Sequence, residues 1–203
     1  MLILNYKRTK DAKILAIQEI IMNIWHSVGG DRVKPSEFIA CIEISAGSKN
    51  KYELDKKSGA LILDRILYTS THYPQNYGFI PHTLSEDGDP LDVLVISSEP
   101  IVPLALTLAK PIGLLEMEDS GALDEKVIAV CSHDPLYSDY KEISELPSHV
   151  TSEIRHFFRV YKELEHGAHT EVKEMLGSNA AKACIARCIE SYEKKFGVDG
   201  SKK

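Results

Sequence analysis

A chain of 203 residues, 43% hydrophobic and 27% charged, is long and apolar enough to bury an ordinary core, which excludes a disordered, collagen-like or mucin-like protein. Lysine and arginine number 24 against 30 acids, a formal charge of −6, so duplex DNA and anionic membranes are poor partners unless the basic residues cluster. No run approaches the ~20 apolar residues of a membrane helix. The composition therefore predicts a soluble chain. Cys41, Cys131, Cys184 and Cys188 show no C-x-x-C spacing and are too sparse for a disulfide scaffold, so they read as packed, reduced thiols in a cytoplasmic protein.

Residues 1–21 differ in texture from the rest of the chain. They are basic at first (Lys7, Arg8, Lys10, Lys13), then mixed, and charge interrupts the apolar stretch too early for a signal h-region. The expectation is an N-terminal extension over 1–21, with Met22 as the true first residue, one catalytic domain over 22–197, and a flexible tail over 198–203. Candidate strands lie at 38–44, 51–55, 60–67, 91–97, 112–118 and 126–131, separated by turn signals such as Ala46-Gly47-Ser48 and Asp119-Ser120-Gly121. After Pro147, Ser148 is a helix-capping residue. Val150, Ile154, Phe157, Phe158, Tyr161 and Leu164 then trace one helical face that ends at Gly167. A second helix should run from near Ser178, bury Ala181, Ile185, Cys188, Tyr192 and Phe196, and stop at Gly197. Strands first and helices last argue for an α+β fold with the sheet curled into a small barrel.

The chemistry concentrates in Glu86-Asp87-Gly88-Asp89-Pro90-Leu91-Asp92, at the mouth of an otherwise apolar strand. Clustered carboxylates repel, and burying one without a partner is costly. Gly88 and Pro90 shape the backbone so that the acids cannot simply splay into water. A compensating cation is implied, and oxygen-only ligands suit a hard divalent ion such as Mg²⁺. An EF-hand loop fails on spacing, because Pro90, Asp92 and Ser98 occupy its fourth, sixth and twelfth positions. Charges also sit on apolar strands: Arg65 shares a strand face with Leu61, Leu63 and Leu67, Lys126 shares one with Ile128 and Val130, and Lys51 lies beside Glu53. Carboxylates for metals, with lysine, arginine and tyrosine for a polyanion, are the components of metal-assisted phosphoryl transfer.

The order of these residues resembles the family I soluble inorganic pyrophosphatases from about Met22 to Phe196. Glu43, Lys51-Tyr52-Glu53, Asp64-Arg65 and Tyr73-Pro74-Gln75-Asn76-Tyr77-Gly78 precede the D-x-D-P-x-D block, and Asp119, Asp124, Lys126 and Tyr161-Lys162 come after it. The resemblance implies an OB-like five-stranded β-barrel flanked by two C-terminal helices, and hydrolysis of pyrophosphate to two phosphates with several Mg²⁺ ions. It implies that Asp87, Asp92 and Asp124 hold a first ion and that Asp92 bridges to a second. Asp89 would be the general base for the attacking water, while Asp119 and Asp124 hold a further ion and Glu43 and Glu53 serve the metals directly or through water. Lys51, Arg65, Tyr77, Lys126, Tyr161 and Lys162 would clamp the phosphates, with Tyr73 in support. It also implies a homo-oligomer, a hexamer before a dimer. The family usually has an acid directly after the aspartate at 119, where this chain has Ser120, and Leu123 replaces another polar position.

Two rival readings belong beside this one. Tyr73, Tyr77 and Phe79 on an OB-like barrel suggest a nucleic-acid-binding module, which lacks a basic stripe and leaves the aspartates unexplained. A metal-dependent phosphoesterase shares the chemistry and differs only in pocket size. His166, His169 and Glu171 have the spacing of a surface zinc site and read instead as solvated side chains.

Overall fold

The structure is a computed structural model that describes residues 23–167 and 169–197. The expected extension over 1–21 and the tail over 198–203 lie outside the described residues. The chain enters through a helical turn α1 (Ile24–Ser27) and the short strand β1 (Val33–Lys34). Seven strands come next: β2 (Glu37–Ile44), β3 (Asn50–Leu54), β4 (Leu61–Ile66), β5 (Asn76–Ile80), β6 (Leu91–Ile96), β7 (Leu106–Asp119) and β8 (Ala122–Cys131). Helix α2 (Ser148–Val160), strand β9 (Thr170–Gly177) and helix α3 (Ser178–Phe196) complete it.

β2 pairs with β5, β5 with β6, β6 with β8, β8 with β7, and β7 returns to β2, so five strands close a ring. Closure leaves no bare edge within the ring, with β1 and β9 extending it at β2 and β7. This is the five-stranded barrel and α+β arrangement expected from the sequence. β2, β6 and the second half of β8 are largely apolar because both of their faces are covered. Phe38, Ala40, Ile42, Val93, Val95, Val127 and Ala129 pack with Ala181 and Ile185 of α3. Ile44, Leu94, Ile96, Ile128 and Val130 pack with Ile154, Phe157 and Phe158 of α2.

Several boundaries depart from the sequence reading. β7 begins at Leu106 rather than 112, because Pro111 is accommodated at a bulge between residues 111 and 113. α2 ends at Val160, and i→i+3 turns continue from it, with the Glu163 N–H donating to the Val160 carbonyl and that of Glu165 to Lys162. Leu164 is therefore exposed, not on a buried helical face, and Pro147 rather than Ser148 occupies the cap position. α3 runs as expected to Gly197, whose φ of 83° ends it. At its start the Glu142 carboxylate accepts from both the Ser178 N–H (2.9 Å) and Oγ–H (2.6 Å). β3 and β4 form a separate two-stranded hairpin, and the apolar face expected from Leu61, Leu63 and Leu67 is only partly a core face: Leu67 is buried, Leu63 is about half exposed, and so are Ile62 and Ile66 on the opposite face.

Candidate active site

Strand register explains why the acids meet. β6 and β8 are parallel, with Asp92 opposite Lys126, while β5 on the other side of β6 sets Tyr77 beside Leu94. The Tyr77 hydroxyl donates to Asp92 Oδ2 at 2.5 Å. Lys126 Nζ, 3% exposed, donates to Asp92 at 2.7 Å and to Asp124 at 2.8 Å. Asp119 and Asp124 come from the two sides of the β7–β8 hairpin, where Asp119 pairs with Ala122 across a two-residue turn. Positive φ at Ser120 (54°) and Gly121 (87°) gives that turn the twist of a tight hairpin. The Ser120 hydroxyl donates to Asp119 Oδ1 at 3.1 Å, so the residue that replaces the usual acid orients its neighbour.

These groups line a cavity of about 310 Å³. Twelve of the fourteen residues singled out from sequence reach it: Glu43, Lys51, Glu53, Tyr77, Asp87, Asp89, Asp92, Asp119, Asp124, Lys126, Tyr161 and Lys162. Arg65 and Tyr73 do not. Arg65 Nε donates to Glu165 at 2.8 Å and its guanidinium also contacts Asp64, while Tyr73 is buried against Phe157 (4.7 Å) and Tyr77 (5.3 Å). Sequence reasoning missed Lys56, whose ammonium lies against the Asp89 carboxylate. In sequence it reads as one of two turn lysines, and only the fold brings that turn over the D-x-D loop. Asn23 Nδ2 holds the Lys56 carbonyl at 2.9 Å, and Trp25 beside it lines the cavity wall. The aromatic platform suggested by Tyr73, Tyr77 and Phe79 is absent, because Tyr73 and Phe79 are buried and the Tyr77 hydroxyl is engaged by Asp92.

A family model for inorganic pyrophosphatase matches residues 40–193, which spans every one of these acids and lysines. The chain belongs to the family I soluble inorganic pyrophosphatases. It is 47% identical over 173 residues to soluble inorganic pyrophosphatase 2 of Chlamydomonas reinhardtii, covering 85% of this chain and 89% of that protein. It is 48% identical over 162 residues to the inorganic pyrophosphatase of Aquifex pyrophilus, covering 79% of this chain and 92% of that one. The crystal structure of the Thermus thermophilus inorganic pyrophosphatase superposes with a TM-score of 0.76 at 42% identity, over 78% of this chain and 92% of that one.

The pyrophosphatase cavity is electrostatically overfilled with acid, since seven carboxylates face four lysines. Burial, and then the Asp124 charge, push the Asp87 carboxyl above its ordinary range. Burial alone would lower the Lys126 ammonium, but Asp92 and Asp124 outweigh it and hold its pKa well above the lysine norm. Burial would raise Asp119, yet its hydrogen bond and ion pair with Lys162 keep it low. Among the described residues no histidine or cysteine lines the cavity, so its donor set is carboxylate oxygen and fits a hard divalent cation. As the side chains stand, no three acids, histidines or cysteines among the described residues converge on one ion. Lysines pair instead with Glu53, Asp89, Asp92, Asp119 and Asp124.

Glu43 gives this cavity a pH signature. It is 7% exposed and its Oε1 accepts the Leu54 N–H at 2.7 Å. Burial first, and the Asp92 charge second, push its pKa from 4.5 up to about 8 against the effect of that hydrogen bond. The folded state therefore keeps a proton that the unfolded chain releases, and this contribution to stability falls by roughly 1.4 kcal/mol per pH unit as the pH rises across that interval, then levels off. Glu43→Gln retains an acceptor for Leu54. In chelator its melting temperature should match the parent near pH ~4.5 and exceed it by ~4 °C or more near pH ~9. Parallel melting curves at both ends would show that Glu43 is not desolvated.

Proposed function

We propose that this chain hydrolyses inorganic pyrophosphate to two orthophosphates using Mg²⁺. The observation that carries the reading is the carboxylate set Asp87, Asp92 and Asp124 sharing one cavity with Lys51, Lys126 and Lys162. Pyrophosphate repels an incoming nucleophile, so positive charge must surround it before attack is feasible. Bound Mg²⁺ would neutralise that charge and bring the pKa of a water from ~15.7 toward ~7.

Asp87, Asp92 and Asp124 would hold a first ion, with Asp92 shared by a second. Asp119 and Asp124 would hold a further one, and Glu43 and Glu53 would assist. Asp89 sits at the head of the loop, where its carboxylate can accept the proton of the attacking water. Lys51, Lys126 and Lys162 neutralise phosphate oxygens as mobile charges, while the phenol of Tyr161 donates to them and that of Tyr77 would do so on leaving Asp92; burial keeps both phenols protonated, their pKa values raised. Arg65 would join this clamp by exchanging Glu165 for phosphate, and Tyr73 supports Tyr77 from below.

The test is phosphate release from pyrophosphate beside a panel of phosphoesters. Turnover of pyrophosphate should be fast with Mg²⁺, vanish in chelator and return with excess Mg²⁺. Faster release from ATP or nitrophenyl phosphate would move the assignment to a phosphoesterase. The functional unit in this proposal is 22–197 in the cytoplasm, assembled as a homo-oligomer, with a hexamer preferred to a dimer. The half-exposed Ile62, Leu63 and Ile66 of β4, with Tyr68 just after it, support self-association. Light scattering on the eluting protein reads the assembly directly.

A further inference from the structure

The same lysines that face the substrate volume also hold the acids of the site, four of them assigned to the metal and one, Asp89, to the attacking water. Lys126 bridges Asp92 and Asp124 at 2.7 and 2.8 Å, Lys162 holds Asp119, Lys51 holds Glu53, and Lys56 holds Asp89. An ammonium has three donors on one compact charge, and a carboxylate oxygen given to a divalent cation presents far less negative potential to a neighbouring lysine. The two partners therefore compete for the same oxygens.

We propose that Lys51, Lys126 and Lys162 are place-holders for cations, and that their release when the carboxylates take a divalent ion is what arms the phosphate clamp. This rests on the pyrophosphatase reading above and deepens it. In the metal-free protein the clamp is folded onto the acids, so it cannot grip an anion, and the acids are kept from repelling one another. When the oxygens are taken, each lysine loses its partner within the same cavity and turns to the phosphate. Lys51 keeps one anchor, Asp64 at 3.1 Å, which lies outside the cavity lining, so its stem stays in position while its charge is freed. Lys56, with a half-exposed side chain, stays on Asp89, which is assigned to the attacking water and not to an ion. Cation and anion binding are then positively coupled through the protein's own side chains, in addition to any direct contact between the two ligands, and the coupling must be reciprocal.

The experiment is site-resolved acetylation of lysine amines by a limiting amine-reactive ester, read by mass spectrometry on the full chain, without substrate, in chelator and in Mg²⁺. Labelling of Lys51 and Lys162 should rise by about two- to fivefold with Mg²⁺, the fraction that an ion pair of ordinary strength withholds. Lys194, paired with Glu190 at 2.7 Å on the outside of α3, should not change. In chelator, Asp119→Asn should raise labelling of Lys162 alone, whereas Asp87→Asn, which removes a charge from an acid with no lysine bound to it, should raise none. Unchanged or reduced labelling of Lys51 and Lys162 on adding Mg²⁺ would overturn the proposal. If pyrophosphate is still hydrolysed under those conditions, the catalytic reading stands without it. If the lysines respond while pyrophosphate is not hydrolysed, the exchange stands and the substrate assignment falls.

Discussion

Asp89→Asn is expected to lower pyrophosphate turnover by about 10²–10⁴-fold, the loss typical of a removed general base, while the melting temperature stays within a few degrees of the parent. The two halves of that expectation come from different observations. The backbone of Asp89 is held by groups that the substitution leaves alone: its N–H donates to Asp87 Oδ1 at 2.9 Å and its carbonyl accepts the Ser85 N–H at 2.8 Å. Its side chain is nearly half exposed, and its ion pair with Lys56 is exposed on both sides. An ion pair of that kind is worth little to stability. Asparagine has the same shape but cannot accept a proton from water at neutral pH. Substrate KM should change much less than kcat, because the amide removes an interaction made with the attacking water rather than with the bound phosphates. A large fall in melting temperature with near-parent turnover per folded molecule would make Asp89 a structural residue, and parent-like turnover in a stable variant would hand the base role to another group.

How much of this site is legible in the sequence depends on the range of the interactions involved. The D-x-D-P-x-D loop is local, so its acids are visible as a cluster without any fold. The barrel strands β2, β6 and β8 are visible because both faces are buried and the apolar run is continuous. β5 is not. Its sequence, Asn-Tyr-Gly-Phe-Ile, opens with a poor strand former and has glycine at its centre. The fold explains both residues: Asn76 is fully buried and uses its side chain to satisfy the backbone of three neighbouring segments, accepting from Ala46 and Ile101 N–H and donating to the Val95 carbonyl. β9 alternates charge with apolar residues and is only half covered against β7, so its periodic signal is weak. Lys56 and the displacement of Arg65 toward Glu165 depend on contacts across 33 and 100 residues, which no local pattern encodes. The end of α2 is overrun for the opposite reason, since Leu164 continues the helical spacing although the chain has already turned to bring Lys162 to Asp119.

Gly78→Ala carries the largest expected effect on stability, and its cause lies beside the site. β5 crosses β2 where the pairing shifts between Ile42 and Ile44, and Gly78 pairs with Ile42 there. A Cβ at residue 78 would stand 1.9 Å from the Cys41 carbonyl oxygen and 2.8 Å from the Ile42 Cα. Both obstacles are backbone, so no rotamer relieves them, and the only escape is to move β5 away from β2 and open the barrel seam. Ordinary overpacking of a core costs about 1–3 kcal/mol. An overlap with backbone belongs in the exceptional class above ~4 kcal/mol, a large share of the ~5–15 kcal/mol that holds a domain folded. At ~2–4 °C per kcal/mol the melting temperature should fall by ~10 °C or more, if the variant folds at all. Gly121→Ala is the comparison: nothing lies within 4 Å of its added Cβ, and its φ of +87° imposes only local strain of about 1–2 kcal/mol. The two variants add the same methyl group, so the difference between their melting temperatures isolates the seam. Activity should divide in the same way. Gly78 lies between Tyr77, whose hydroxyl reaches Asp92, and Phe79, which lines the cavity, so whatever Gly78→Ala protein folds should bind Mg²⁺ and substrate less well, while folded Gly121→Ala should keep most of its turnover. Equal melting temperatures for the two variants would mean that β2 and β5 stand further apart than this packing requires, and the positioning of Tyr77 would then need another cause.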